Sequence, residues 1–271
     1  MAPMAAPAGF TPQHRGGSGT PLVALHGFTD TWRTWELVLP ALERRHDVLA
    51  PTLPGHAGGP PLPGPVTTAG VVDAVERAMD EAGFATAHLV GNSLGGYIAL
   101  HLAARGRARS VVALAPAGGW AEGDASHRET LAHFATMRDL ARSAAPHADA
   151  IVSSPEGRRR AAEFTAVRFE HIPADLLAHQ IRGVAACTAV EPMVETALRE
   201  GWALDAERVG CPVRILWGTE DRLLPWPSAA ARYRWSWLPQ ADWVELEGVG
   251  HCPQLDVPLE TAHLILGVTA G

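Results

Sequence analysis

The chain has 271 residues, 47% of them hydrophobic, and a formal net charge of −7. That suffices for one large α/β domain with an insertion, and the acidic balance argues against nucleic acid or an anionic membrane as a partner. All 22 basic residues are arginine, which excludes Schiff-base catalysis, pyridoxal-phosphate attachment, a Ser-Lys dyad and a P-loop lysine.

Residues 1–20 are rich in Ala, Pro and Gly and read as a partly ordered lead-in. They lack a basic stretch followed by an apolar one, so no signal peptide is expected, and no run reaches the length of a membrane-spanning helix. Pro21 to Leu25 reads as a strand that runs into His26-Gly27-Phe28-Thr29. His-Gly lets the backbone turn sharply and aim an N–H, here that of Phe28, towards the end of the sheet. His26 itself is expected to pack and bond locally. Trp32 and Trp35 open a helix-like segment to Leu42 and read as core or pocket wall; Trp32 is kept as a candidate pocket residue.

His46 to Ala50 is a second strand. The stretch from Pro51-Thr52-Leu53-Pro54-Gly55-His56 to Pro65 is too rich in Pro and Gly for helix or central strand. A loop-stabilising role is expected for His56. From Thr67 or Thr68 to Gly83, Val71, Val72, Val75, Ala78 and Met79 have helical spacing, with a threonine cap and a glycine stop. Ala87 to Val90 is a short buried strand, and Tyr97 to Ala104 a helix. Between them lies Gly91-Asn92-Ser93-Leu94-Gly95-Gly96. A serine on such a junction sits on a tight, strained turn that exposes its hydroxyl, while the Leu94 N–H stands free at a helix start. The pentapeptide alone equally describes a Gly-rich turn with an incidental serine.

Ser110 to Ala115 is the next strand and leads to Trp120, a second candidate pocket residue. From there to about Asp205 the rhythm changes to helices alone: Ser126, a plausible cap, to Ala144, then Pro155 to Arg168, Pro173 to Cys187 and Pro192 to Trp202. Helices inserted without strands suggest a lid over the sheet, and Arg158-Arg159-Arg160 reads as a solvated face. Strand–helix alternation resumes with Val213 to Trp217, Ser228 to Leu238, Trp243 to Leu246 and Leu259 to Leu266. The alternation predicts an α/β fold with a mostly parallel central sheet flanked by helices. The expected divisions are a lead-in over 1–20, a core over 21–120 and 206–271, and a helical cap over 121–205.

A serine, an acid and a histidine each follow a strand, in the order Ser93, Asp221, His251. Parallel strands bring their C-terminal ends to one edge, so the three loops should converge. Ser93 would attack, His251 would take and return its proton, and Asp221 would hold the imidazole. Singly, His251 is one of 13 histidines and Asp221 reads as well as a turn aspartate; in order on strand ends, the three make a constellation.

With His26-Gly27-Phe28, Leu53-Pro54-Gly55-His56, Gly91-Asn92-Ser93-Leu94-Gly95-Gly96, Gly218-Thr219-Glu220-Asp221 and Gly250-His251, the chain resembles the α/β-hydrolase fold superfamily from about Pro21 onwards. The resemblance implies a helical cap after the sixth core strand. Thr52 departs from the aspartate that many relatives carry there. Ser93 in place of aspartate argues against an epoxide hydrolase or haloalkane dehalogenase. The expected activity is hydrolysis of a carboxylic ester or lactone by Ser93, His251 and Asp221, with the N–H groups of Phe28 and Leu94 as oxyanion hole. Carbon–carbon hydrolysis, a lyase or an acyltransferase would use the same triad, and a ligand-binding module would use the fold alone. Some members take the acid one strand earlier, where Glu122 and Asp124 stand.

No HExxH, paired CxxC or strand-following GxGxxG occurs, so neither metal nor other cofactor is expected. The three scattered cysteines, Cys187, Cys211 and Cys252, suggest a reducing, cytoplasmic compartment. The expected partner is a small-molecule acyl substrate, with no nucleic acid and no membrane, for a monomer or homodimer.

Overall fold

Short runs of Val, Leu, Ala and Ile between Pro and Gly stops make strands that are buried on both faces. A computed structural model of the chain describes residues 9–62 and 64–269, so residues 1–8 of the lead-in lie outside the described residues. In chain order the elements are β1 (Gln13–Gly17), β2 (Thr20–Leu25), a 3-10 turn at Trp32–Trp35, α1 (Leu39–Leu42), β3 (His46–Pro51), α2 (Thr68–Glu81), β4 (Ala87–Asn92), α3 (Leu94–Ala104) and β5 (Ala108–Leu114). Then come α4 (Ser126–Ala144), α5 (Ala148–Val152), α6 (Pro155–Ala162), α7 (Ala174–Ala186) and α8 (Val190–Glu200). The chain closes with β6 (Val213–Gly218), β7 (Asp242–Leu246), α9 (Pro253–Asp256) and α10 (Pro258–Thr269).

The sheet runs β1-β3-β2-β4-β5-β6-β7, with β1 antiparallel to β3 and every other pair parallel. Alternate strand residues feed opposite faces. Val23, Leu25 and Leu89 join Val71, Val75 and Ile98 on one face, while Leu22, Ala24 and Val90 join Trp35, Leu42 and Ile265 on the other. Thr67 caps α2 by accepting the Gly70 N–H at 3.0 Å. No helix among the described residues is long and apolar enough to cross a membrane.

Several expectations change. Part of the lead-in is β1, an edge strand pinned to β3 by its ladder and by Arg15, whose guanidinium grips Asp47 at 2.9 and 3.1 Å. The helical insertion, α4 to α8, follows β5, the strand read from Ser110 to Ala115. Ser126 is the first helical residue, and the Asp124 carboxylate accepts its N–H at 2.8 Å. Arg158 leaves the solvated face to donate to the carbonyls of Glu170 and Ile172. The helix expected from Ser228 to Leu238 splits into a 3-10 turn at Ser228–Ala230 and a π-helical turn at Tyr233–Trp237. There the buried Tyr233 hydroxyl reaches the Ala117 carbonyl at 2.7 Å.

Candidate active site

Three loops leave the same edge of the sheet. The loop after β4 needs its glycines: a Cβ on Gly91 would overlap the Gly95 carbonyl, and one on Gly95 the Leu25 carbonyl of β2. Between them Ser93 is held at φ 54, ψ −116, a conformation that costs a non-glycine residue about 1–3 kcal/mol. Its N–H donates to the Leu114 carbonyl at 2.8 Å, and its carbonyl accepts from Ala117 N–H at 3.0 Å. The other positive-φ non-glycine residues among those described are Thr29, after β2, and Ala115, after β5. Strain is therefore concentrated on the edge that carries Ser93.

Two backbone donors flank this serine. Leu94 begins α3, and Phe28 lies in the loop after β2, where a Cβ on Gly27 would stand 3.4 Å from that of Ser93. No acceptor among the described residues takes either N–H. Two free backbone donors beside one serine can together hold an oxyanion.

Asp221 follows β6, and His251 lies in the loop after β7; both are buried. Asp221 Oδ2 accepts from His251 Nδ1 at 2.7 Å, while Oδ1 accepts the N–H groups of Leu223 and Leu224 at 2.9 and 2.7 Å. The carboxylate is thus oriented from behind, and an imidazole that donates through Nδ1 keeps its lone pair on Nε2. Asn92, next to Ser93, donates to the His251 carbonyl at 3.0 Å and ties the serine turn to the histidine loop. Glu122 is exposed, and Asp124 is engaged at the start of α4, so neither stands in for Asp221 in this fold.

Beside Ser93 lies an apolar cavity of about 50 Å³ lined by Phe28, Trp120, Leu131, Phe134 and Leu224 among others. Trp120, a candidate pocket residue, lines this cavity. Trp32, the other candidate, does not line it: its indole N–H donates to Thr11 at 2.8 Å and its ring stacks on His14 of β1, which draws the side chain away from the cavity.

His26 and His56 support the loops from below. His26 bonds the Gly27 carbonyl at 2.7 Å through Nδ1 and accepts the Leu53 N–H at 2.8 Å through Nε2. Burial, then the neighbouring His56, pushes its pKa well below 6.5; burial lowers His56 to about 4. Both are neutral scaffolding, as expected for them. Thr52 makes a local contact, donating to the Thr11 carbonyl at 3.4 Å.

Sequence reasoning missed Asp256. Its buried carboxylate accepts Gly250 N–H at 2.6 Å, next to His251, and the N–H groups of Val167 and Arg168 at 2.9 and 2.8 Å. One side chain therefore fastens the histidine loop to the helical insertion. The only local signal was an acid five residues after a histidine, just before Val257-Pro258.

A sequence profile of the alpha/beta hydrolase family matches residues 22–264. The chain belongs to the alpha/beta hydrolase family. It is 32% identical over 201 residues to the epoxide hydrolase EphH of Mycobacterium tuberculosis, covering 74% of this chain and 94% of that protein. Over 270 residues it is 30% identical to a pimeloyl-[acyl-carrier protein] methyl ester esterase of Aromatoleum aromaticum, covering 92% of this chain and 98% of that one. In fold it resembles the enol-lactonase of Burkholderia xenovorans, with a TM-score of 0.70, 18% identity and 96% of each chain covered. The protein is a hydrolase of this family.

Proposed function

We propose that the protein is a serine hydrolase that cleaves a carboxylic ester or lactone through an acyl-enzyme. The observation that carries this reading is the buried Asp221–His251 bond of 2.7 Å on the strand edge that holds Ser93 at positive φ. Ser93 Oγ attacks the carbonyl carbon as His251 Nε2 takes its proton. The oxyanion is held by the N–H groups of Phe28 and Leu94. His251 returns the proton to the departing alkoxide, and water, activated by the same base, releases the acid and restores Ser93. Asp221 holds the ring and stabilises its cation.

The nucleophile argues for acyl rather than epoxide chemistry, despite the name of one relative. A serine that opened an epoxide would leave an alkyl ether, which water cannot release under these conditions. A carboxylate nucleophile would leave a cleavable ester.

The insertion over 121–205 acts as a lid. Thr130, Leu131 and Phe134 of α4, Met193 and Ala197 of α8, and Trp202 line the cavity beside Ser93, which supports that role. Cys187, Cys211 and Cys252 are free thiols, which fits a reducing, cytoplasmic setting.

The test is intact mass and turnover on a reactive aryl ester, for wild type and Ser93→Ala in parallel. A fluorophosphonate should add to wild type once, at Ser93, and Ser93→Ala should lose the label and turnover by several orders of magnitude, up to roughly a millionfold. Wild-type turnover in Ser93→Ala, or a label on another residue, would bring the binding-module reading to the front.

A further inference from the structure

The cavity beside Ser93 has a neighbour. A second space of about 40 Å³ lies between α2, α3 and α8, lined by Thr68, Val71, Ile98 and Thr196 among others. The two cavities share one wall, made of Leu94, Met193, Ala197 and Trp202. Each is small beside the several hundred Å³ of an ordinary ligand site, and joining them roughly doubles the space in reach of Ser93.

The parts of that wall differ in freedom. Trp202 is fixed: it meets Tyr97 edge-on at 5.1 Å and lies 5.9 Å from Trp120, and its ring fills the place where Gly118 would carry a side chain. Leu94 is fixed by its place at the start of α3. Met193 is half-buried on α8, unbranched and flexible, and is the wall member that turns aside at least cost.

The chemistry of the second space is narrow. No charged side chain lines either cavity. Three of the polar groups present are engaged: Tyr97 donates to the Ala203 carbonyl at 2.7 Å, Thr196 to Val66 at 2.9 Å, and Thr67 accepts from Gly70 at 3.0 Å, while the buried indole N–H of Trp202 has no partner among the described residues. A ligand entering there meets mostly hydrocarbon and no counter-charge, so a charged tail would be desolvated without an ionic partner.

We infer that the second cavity is the distal chamber of the substrate site. The neutral, unbranched apolar tail of the acyl chain passes Met193 and lies between α2, α3 and α8. This rests on the serine-hydrolase reading of Ser93.

The experiment compares kcat/KM for p-nitrophenyl octanoate and p-nitrophenyl acetate, and reads their ratio. Val71→Phe fills the chamber from α2, and Thr68→Phe does so from the half-buried rim should the first variant fold poorly. Fluorophosphonate labelling reports whether each variant is folded. Filling should lower the octanoate-to-acetate ratio roughly tenfold, as the last methylenes lose their burial, and Met193→Ala should raise it. A monoester of a dicarboxylic acid, with its terminal carboxylate, should be turned over far more slowly than octanoate. A ratio within about twofold of wild type in a filled variant that takes the label overturns the chamber alone. Wild type that neither takes the label nor turns over either ester overturns the serine-hydrolase reading and the chamber with it.

Discussion

Gly95 and Gly183 are both buried and both lie inside helices, the first in α3 of the core and the second in α7 of the insertion. A Cβ on Gly95 would overlap backbone of β2, whereas one on Gly183 would rest 3.6 Å from Phe10 and Thr31, ordinary contact. The helices around them differ in the same way. Nine of the eleven residues of α3 are buried against five of the thirteen of α7, so α3 is held from nearly every side and α7 from one face. A fully packed element can impose strain on its neighbour, as α3 and β4 do on Ser93. A lightly packed one can shift, as the proposed lid would have to. The insertion meets the core through polar ties along its length, among them Thr31 with His179 at 2.9 Å, Gln180 donating to Asp30 at 3.1 Å and the Cys252 N–H donating to the Thr165 carbonyl at 2.7 Å.

The largest effect that tests this contrast is Gly95→Ala. The clash is with backbone, which has no alternative rotamer, so α3 must back away from β2. Stability should fall by about 3 kcal/mol or more, and fluorophosphonate labelling of Ser93 should fall with it. Chemical denaturation and labelling rate read the two losses. A variant that loses less than about 1 kcal/mol would mean that α3 is not held as tightly as its burial implies.

Asp256→Asn comes next, because it loosens the junction between the two regions. The amide nitrogen would face backbone donors where a carboxylate oxygen now accepts them. A loss of about 2–3 kcal/mol is expected, with a fall in kcat of roughly ten- to a hundredfold as the histidine loop drifts. KM should move less. If stability drops while kcat and labelling hold at wild-type values, Asp256 braces the insertion only and does not position His251.

The core elements and the site constellation were legible because their causes are local. Short continuous apolar runs bounded by turn residues mark the central strands β2 to β6, and Gly91 and Gly95 declare a turn that only glycine permits. What was hidden depended on distant partners. The segment of β1, Gln-His-Arg-Gly-Gly, has no apolar pattern and is a strand because β3 offers it a free edge. Trp32 is drawn to that same segment. Asp256 looked like any helix-end acid, since its three donors lie six and nearly ninety residues away. Met193 gave no sign of its place between two cavities, because helix periodicity reports a buried face and not what that face encloses.

Acid should weaken both regions. His56 in the core and His179 in the insertion are each lowered by burial from 6.5 to about 4, and burial lowers His26 in the same direction. Above pH 6.5 these residues are neutral folded or unfolded, and they favour neither state. Between about 6.5 and 4 the unfolded chain binds protons that the fold refuses, so stability falls as pH falls. Each such proton contributes at most about 1.4 kcal/mol per pH unit. Denaturation midpoints across that window should therefore drop steeply. His179→Gln, which can still bond Thr31, should flatten the slope by up to one proton. An unchanged slope would place proton uptake elsewhere.

The smallest effect is the other half of the opening contrast. Gly183→Ala adds a methyl to the middle of α7 at 3.6 Å from Phe10 and Thr31, where nothing has to move. Gly183 is not among the residues held at positive φ, so alanine fits the backbone as it stands. The substitution lowers the entropy of the unfolded chain and improves helix propensity, for a gain of about 0.5–1 kcal/mol. It should also stiffen α7 without touching Ser93, so on the proposed lid reading octanoate turnover should fall slightly while acetate turnover holds. A loss of stability would show that α7 is packed as closely as α3, and that the division into a fixed core and a yielding insertion is wrong. The same sign for Gly95→Ala and Gly183→Ala is therefore the result that breaks the comparison, and opposite signs are the result that sustains it.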